Sequence, residues 1–438
     1  LILKRNSDNL LQRFDLGQSR TGRRGKMRHF LNKGVMSFAA VICALFALGT
    51  APAAASFEQT LYAFCSQPNC SDGADPYGSV IIDSAGNLYG TTSEGGANGD
   101  GEVYKLSPNN TLTVLYSFKG GVDGATPYGG LVQDSAGNLY GTTANGGGGT
   151  ACGSAGCGTV FKVTPKGSES ILHAFCAKGV NCTDGMNPIG GLIIDSAGNL
   201  YGTTEYGGVK SCGCGTVFKL SAKGKETISW SFSGSPDGAL PLAGLWMDKK
   251  GNLYGTTSSG GDTSCGCNGV VFEIRTTGLE VVLYNFCEDP GCADGRYPYA
   301  GVTADKKGNL YGTTTEGGTH NVGTAYKVAA DGTETVLHSF SGNSGDEGFI
   351  GSAGVVLDSA GNLFGASTGA SQGAYGTLYQ IAPNGTQSRL YLFVGGLDGD
   401  TPEATPILNK GVLYGTTLWG GSSGCGGRGC GTVYRYVQ

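Results

Sequence analysis

The phrase SAGNLYGTT, residues 84–92, decides the fold. It returns unchanged at 135–143 and 196–204, and as KKGNLYGTT at 249–257 and 306–314. Degenerate copies follow at 359–367 (SAGNLFGAS) and 409–417 (NKGVLYGTT). Its aromatic falls at Tyr89, Tyr140, Tyr201, Tyr254, Tyr311, Phe364 and Tyr414, so the repeat period runs from 50 to 61 residues. A period of this size marks a repeat architecture and overrides a domain count taken from length. Each period holds four short apolar runs separated by Gly, Pro, Asn or Asp, the pattern of strands and turns.

In the second period, strand a is GLVQD (130–134), b is NLYGTT (138–143), c is GTVFKVT (158–164) and d is ESILHAF (169–175). SAG and PKGS are short enough for hairpins, with Gly137 and Gly167 suited to positive φ. Neighbours such as Leu139–Tyr140 and Val160–Phe161 are both apolar, so both faces of each sheet must be covered. Four-stranded sheets packed face to face around an axis satisfy that demand. The expected fold is therefore all-β, a seven-bladed β-propeller. Strands a, b and c each occur seven times, whereas d follows its own c only six times. The lone run TLYAF (60–64) supplies the missing outer strand, so the N-terminal strand should pair with the C-terminal strands and leave no open edge. A β-helix fits less well, because its repeats are much shorter.

Composition agrees. The 438 residues include 81 glycines and 21 tyrosines but only 14% charged residues, and the net charge is −5. No basic patch appears, which argues against nucleic acid as a partner. Residues 27–34 are basic, 35–50 are continuously apolar, and Ala53 and Ala55 supply small residues at the −3 and −1 positions. Together they read as an export signal over 27–55. Residues 1–26 read as an upstream extension and 56–438 as the propeller, with no later span long enough for a membrane. A secreted, periplasmic or cell-surface monomer is the expectation.

The pattern GNLYGTT…GG…GTVFK, spread over 56–438, resembles the bacterial glycine-rich GloVer tandem-repeat family of choice-of-anchor exported proteins. It is also similar to propeller repeats of the D-x-x-G-N-x-Y type. The resemblance implies an exported bacterial propeller without a known biochemical activity. This sequence departs from the family after its last strand c, where Tyr436 to Gln438 carry no sorting tail; release rather than anchoring is expected.

Fourteen cysteines follow the signal, an even number that suits disulfides in an exported protein. They co-occur by blade: Cys152, Cys157, Cys176 and Cys182; Cys265, Cys267, Cys287 and Cys292; Cys425 and Cys430 with Cys65 and Cys70. Because c and d are antiparallel, the start of c faces the end of d. That favours Cys157–Cys176, Cys267–Cys287 and Cys65–Cys430, with Cys152–Cys182, Cys265–Cys292 and Cys70–Cys425 outside them. Local pairs such as Cys65–Cys70 are the alternative, and Cys212–Cys214 is expected as a lone pair. A four-cysteine zinc site is disfavoured by C-x4-C and C-x-C spacings, and no metal or cofactor is expected.

The a–b and c–d turns share one face of the ring, whereas the irregular b–c loops and d–a connections share the other. The second is the better place for a site. Each d–a connection opens with D-G-x-x-P, giving Asp72, Asp123, Asp184, Asp237, Asp294 and Asp398, with Glu347 in the sixth unit. Sevenfold repetition favours turn-capping over a cation-binding ring at the channel mouth. The residue before the b–c diglycine varies: Glu94, Asn145, Tyr206, Ser259, Glu316 and Trp419. Aromatic rings beside carboxylates on a concave face suit a glycan or another extracellular ligand. His173 and His338 occupy the aromatic slot of strand d and read as packing, and His320 has no recognisable catalytic partner. Glu94 and Glu316 are a conceivable glycosidase pair. A binding module is the favoured reading, with a glycan hydrolase or lyase, or a purely structural surface protein, as alternatives.

Overall fold

The computed structural model describes residues 56–149, 151–177, 181–262, 268–342, 353–369 and 375–438. The extension at 1–26, the signal at 27–55, and Cys265, Cys267 and Glu347 lie outside the described residues. Seven four-stranded antiparallel sheets form the ring of a seven-bladed propeller. Blade 1 is Ile81–Ile82, Leu88–Thr92, Glu102–Leu106 and Leu112–Ser117, named a to d outward from the axis. The short a strands of successive blades approach one another around that axis. Blade 7 takes Ile407–Asn409, Val412–Thr417 and Thr432–Val437 from the end of the chain and Phe57–Ala63 from the beginning. Phe57 pairs with Val437 and Ala63 with Thr432, so the expected closure is present.

The repeated phrase explains the blade residue by residue. Asp83 accepts from the backbone N–H of Ala85 and Asn87, both at 2.9 Å, and from the Asn87 amide at 2.7 Å and the Tyr89 hydroxyl at 3.0 Å. That network holds the a–b turn, while Leu88 is buried. The glycine of LYGTT must be bare because the strand c aromatic lies across it. In blade 2 a Cβ on Gly141 would fall 2.6 Å from Phe161 Cζ.

The two threonines divide the remaining work. The first donates to a carbonyl of the next blade: Thr91 to Gly129 (3.2 Å), Thr142 to Gly190 (3.1 Å), Thr203 to Ala243 (2.9 Å), Thr256 to Ala300 (2.8 Å) and Thr313 to Ala353 (2.9 Å). Thr416 closes the belt onto Gly78 of blade 1 at 3.2 Å. Blade 6 has Ala366 in this register. The second threonine folds back onto its own b–c loop, as Thr92 does onto the Glu94 carbonyl at 3.0 Å.

Between blades, the phenylalanine after each strand d packs edge-on against the strand c aromatic of the following blade. Phe118–Phe161, Phe175–Phe218, Phe232–Phe272, Phe286–Tyr326, Phe340–Tyr379 and Phe393–Tyr434 have centroids 4.8–5.2 Å apart. Phe64–Tyr104 completes the circle at 5.1 Å across the seam. Each such pair contributes about 0.5–1.5 kcal/mol beyond the burial of its area. Phe232→Ala is therefore expected to cost about 3–5 kcal/mol in urea unfolding. The Tyr326 hydroxyl is buried without a partner, where blades 2 to 4 carry phenylalanine. Tyr326→Phe should accordingly raise stability by about 1 kcal/mol, because an unpaired buried hydroxyl is removed.

Carboxyl groups at the outer seams add a pH dependence. The glutamate that opens strand d of one blade faces the D-G aspartate of the preceding blade. Burial, then the neighbouring Asp398, Asp123 or Asp237, pushes Glu58, Glu169 and Glu280 up to about 7. Burial and then Asp294 push Glu334 to about 8. Carboxyls raised above their ordinary value bind protons more tightly in the folded state. Their stabilisation is full below about pH 4.5 and is lost as pH rises through 7 to 8. Urea midpoints should fall between pH 5 and pH 8, and Glu334→Gln should flatten that fall.

Candidate functional site: the axial hollow

The d–a connections carry the site because each is clamped from both sides. In the first, Asp75 N–H donates to the Cys430 carbonyl of blade 7 at 2.9 Å, while its own carbonyl accepts from Ser93 of blade 1 at 3.0 Å. Asp75 has a left-handed φ of +57°, as do Thr126 (+57°), Asn187 (+54°), Leu240 (+59°), Tyr297 (+57°) and Thr401 (+57°). Each immediately precedes a proline, whose fixed φ aims the next residue. Side chains held outside the comfortable region in every described connection indicate a strongly determined geometry.

The residue after the proline then reaches an open hollow of about 550 Å³ on the face formed by the b–c loops and d–a connections. Tyr77, Tyr128, Ile189, Leu242 and Tyr299 contribute in this register from blades 1 to 5. Glu205 and Ser258, which directly follow the repeated threonines, form another part of the wall, with Leu240 and Ser259 between. The Tyr77 and Tyr128 rings meet edge to face at 5.3 Å, and Tyr297 stacks on Tyr299 at 6.5 Å. The surroundings are acidic. Burial raises the Glu205 carboxyl. Burial and then Glu94 push Asp75 up to about 6, and its Oδ1 is buried without a partner. Burial, Glu94 and Asp75 also raise Tyr128.

Glu94, Asn145, Tyr206, Glu316 and Trp419, singled out from the sequence, stand behind this wall and do not line it. Each pairs through its backbone with the d–a connection: Glu94 with Ala74, Asn145 with Ala125, Tyr206 with Met186, Glu316 with Arg296, and Trp419 with Asp400. Their side chains serve neighbours. Asn145 donates to Thr126 Oγ1 at 3.2 Å, and Glu316 is ion-paired with Arg296 at 2.6 Å. Arg428 covers the Trp419 ring at 5.0 Å. In blades 3 and 4 the preceding residue, Glu205 or Ser258, lines the hollow, and in blade 4 Ser259, in the register of Tyr206, lines it too; the tyrosines after the prolines carry no mark of this in the spacing of the diglycines. The signal available in the sequence was the aromatic of P-Y at 76–77, 127–128 and 298–299.

The D-G aspartates face outward. Asp72 accepts from the Tyr62 hydroxyl at 2.7 Å, Asp123 from Tyr116 at 2.7 Å, Asp237 from Trp230 Nε1 at 3.0 Å, Asp294 from Tyr284 at 2.8 Å and Asp398 from Tyr391 at 2.9 Å. Asp184 bonds His173 Nε2 at 3.1 Å. Because those partners sit on the outermost strand, these carboxylates pin strand d and do not ring the channel. A bulge in each strand d, such as that at Leu115 opposite Val103 and Tyr104 of strand c in blade 1, precedes the aromatic that meets the aspartate. A larger hollow of about 900 Å³ lies beside His173, Asp184 and Glu226. Its polar pair is this same strand-pinning contact, which makes it scaffold. His320 bonds its neighbour Thr319 at 3.0 Å among the described residues.

The cysteine pairing requires correction. The bonds formed are Cys65–Cys70, Cys152–Cys157, Cys176–Cys182, Cys287–Cys292 and Cys425–Cys430, all local. The expected Cys65–Cys430, Cys70–Cys425, Cys157–Cys176, Cys152–Cys182, Cys267–Cys287 and Cys265–Cys292 are therefore not made. The reason is backbone conformation. Strand pairing does bring Phe175 N–H onto the Gly158 carbonyl at 3.0 Å. The next residue, Cys176, then takes a left-handed φ of +52° and turns its side chain out of register. Cys287 (+71°) does the same; Cys65 (+57°) also turns, but its sulfur stays within 4.8 Å of Cys430 Sγ and bonds Cys70 instead. Cys212–Cys214 forms as expected.

Among solved structures, a gluconolactonase from Xanthomonas campestris is 12% identical with a TM-score of 0.41, covering 87% of this chain and 89% of its own. A luciferin-regenerating enzyme is 13% identical with a TM-score of 0.42, covering 87% and 95%. No curated protein matches the chain. The model of the Gloeobacter/Verrucomicrobia repeat matches residues 44–178 and 149–350. With the repeat, the blades it builds and this match in agreement, the chain belongs to the Gloeobacter/Verrucomicrobia repeat family.

Proposed function

We propose that the protein is an extracellular binding module that takes part of a saccharide into the axial hollow. The supporting observation is the set of three tyrosines, Tyr77, Tyr128 and Tyr299, around a hollow of about 550 Å³ with a carboxyl, Glu205, in its wall. Aromatic faces cover the apolar side of a pyranose, while carboxyl and serine oxygens accept from its hydroxyls. The axis-facing registers hold Asp75, Glu205 and Glu403 but no lysine or arginine among the described residues. Neutral or amine-bearing sugars are therefore favoured over uronates. Export over 27–55 is part of the proposal. Six disulfides form among the described residues, and no helix among them is long and apolar enough to cross a membrane. A hydrolase is the second reading, favoured by the raised carboxyl of Glu205 on the wall.

Calorimetric titration with neutral, amino-sugar and uronate oligosaccharides tests both. Binding of the first two classes is expected. Tyr77→Ala, Tyr128→Ala or Tyr299→Ala should each weaken it roughly three- to tenfold, about 0.5–1.5 kcal/mol. Trp419→Ala should leave affinity within about twofold, since its ring is covered by Arg428 and does not line the hollow. Failure of the whole panel to bind would overturn the module. Chain cleavage abolished by Glu205→Gln would replace it with the enzyme.

A further inference from the structure

The seam where the chain ends meet gathers four sulfurs, because pairing of Ala63 with Thr432 brings Cys65 beside Cys430. Cys65 and Cys70 follow the N-terminal strand, and Cys425 and Cys430 precede the C-terminal one. All four Sγ atoms lie within 4.8 Å of one another. Cys430 is fully buried, and Gly424 packs against both sulfur sets: a Cβ there would stand 2.7 Å from Cys430 Sγ and 3.1 Å from Cys65 Sγ. Cys152, Cys157 and Cys182 form a second such group in blade 2. Spacing within one segment argued against a metal, but the ligand set here is two C-x4-C segments meeting from opposite chain ends.

We infer that the Cys65, Cys70, Cys425 and Cys430 sulfurs form a redox-gated zinc site that ties the ring shut when both local disulfides are open. Four thiolates around zinc at about 2.3 Å stand about 3.8 Å apart, so opening each disulfide must part its two sulfurs to that distance, while sulfurs of different pairs, already within 4.8 Å, need little movement. Soft thiolate ligands in a closed tetrahedral set suit Zn²⁺ over the hard cations. Opening takes two electrons and two protons per disulfide, supplied by a dithiol that is itself oxidised to a disulfide. Zinc then displaces the four thiol protons. The local disulfides join no two strands, whereas the tetrathiolate would cross-link the end of Phe57–Ala63 to the start of Thr432–Val437.

The full chain is reduced with a phosphine, which water converts to phosphine oxide as each disulfide opens, with and without Zn²⁺. Zinc retained after gel filtration is counted for wild type and for the double variant Cys70→Ser/Cys425→Ser. The wild type should retain one zinc equivalent more than the double variant. Zinc should raise its melting temperature by a margin the double variant lacks. Co²⁺ in place of zinc should give tetrahedral thiolate absorption that weakens in the double variant. Equal zinc content in the two proteins overturns the inference. So does a reduced wild type that stays folded without taking up zinc, or one that unfolds although zinc is present.

Discussion

The molecule depends on one contact made seven times: the phenylalanine that ends each strand d, set edge-on against the aromatic of strand c in the next blade. A four-stranded blade cannot bury either face alone, so its stability resides in its neighbours. From this contact the rest of the repeat follows. The strand c ring lies flat over strand b, which is why strand b carries glycine there. The threonine after that glycine then reaches the next blade's carbonyl and fixes the spacing of the blades near the axis. Phe64 against Tyr104 and Thr416 against Gly78 carry both contacts across the seam. Closure thus rests on packing and pairing, without a disulfide between the chain ends.

Because the scaffold is built from what repeats, individuality is left to what does not. At the axis, the clamped prolines present Tyr77, Tyr128, Ile189, Leu242 and Tyr299 in one register, and the residue after the two threonines presents Glu205 and Ser258 in another. These positions contribute little to blade packing and are free to differ. The D-G aspartates show the opposite behaviour. Every described one is spent on its own strand d, which accounts for their near-invariance along the chain.

Blade number, strand order and ring closure were legible in the sequence because each rests on counting short runs and turns. Strand b of blade 2 was read as 138–143 and is Leu139–Thr143; strand d was read as 169–175 and is Glu169–Ala174. The inter-blade role of the threonines was not legible, because a bond to another blade has no local signature. The cysteine pairing was misread since a left-handed turn at Cys176 is set by the loop and not by strand register. Tyr206, singled out from the sequence, is the neighbour of Glu205, which lines the axial hollow. Which of two adjacent loop residues looks inward depends on how the blade is tilted, and periodicity does not carry tilt.

The central claim is that the repeat makes the frame and the axis-facing exceptions make the site. A crystal structure of the chain with an oligosaccharide that binds it tests this most directly. The account predicts sugar density against Tyr77, Tyr128 and Tyr299 within reach of Glu205. Density at the outer rim, beside His173 and Asp184, with the axial hollow empty would contradict it.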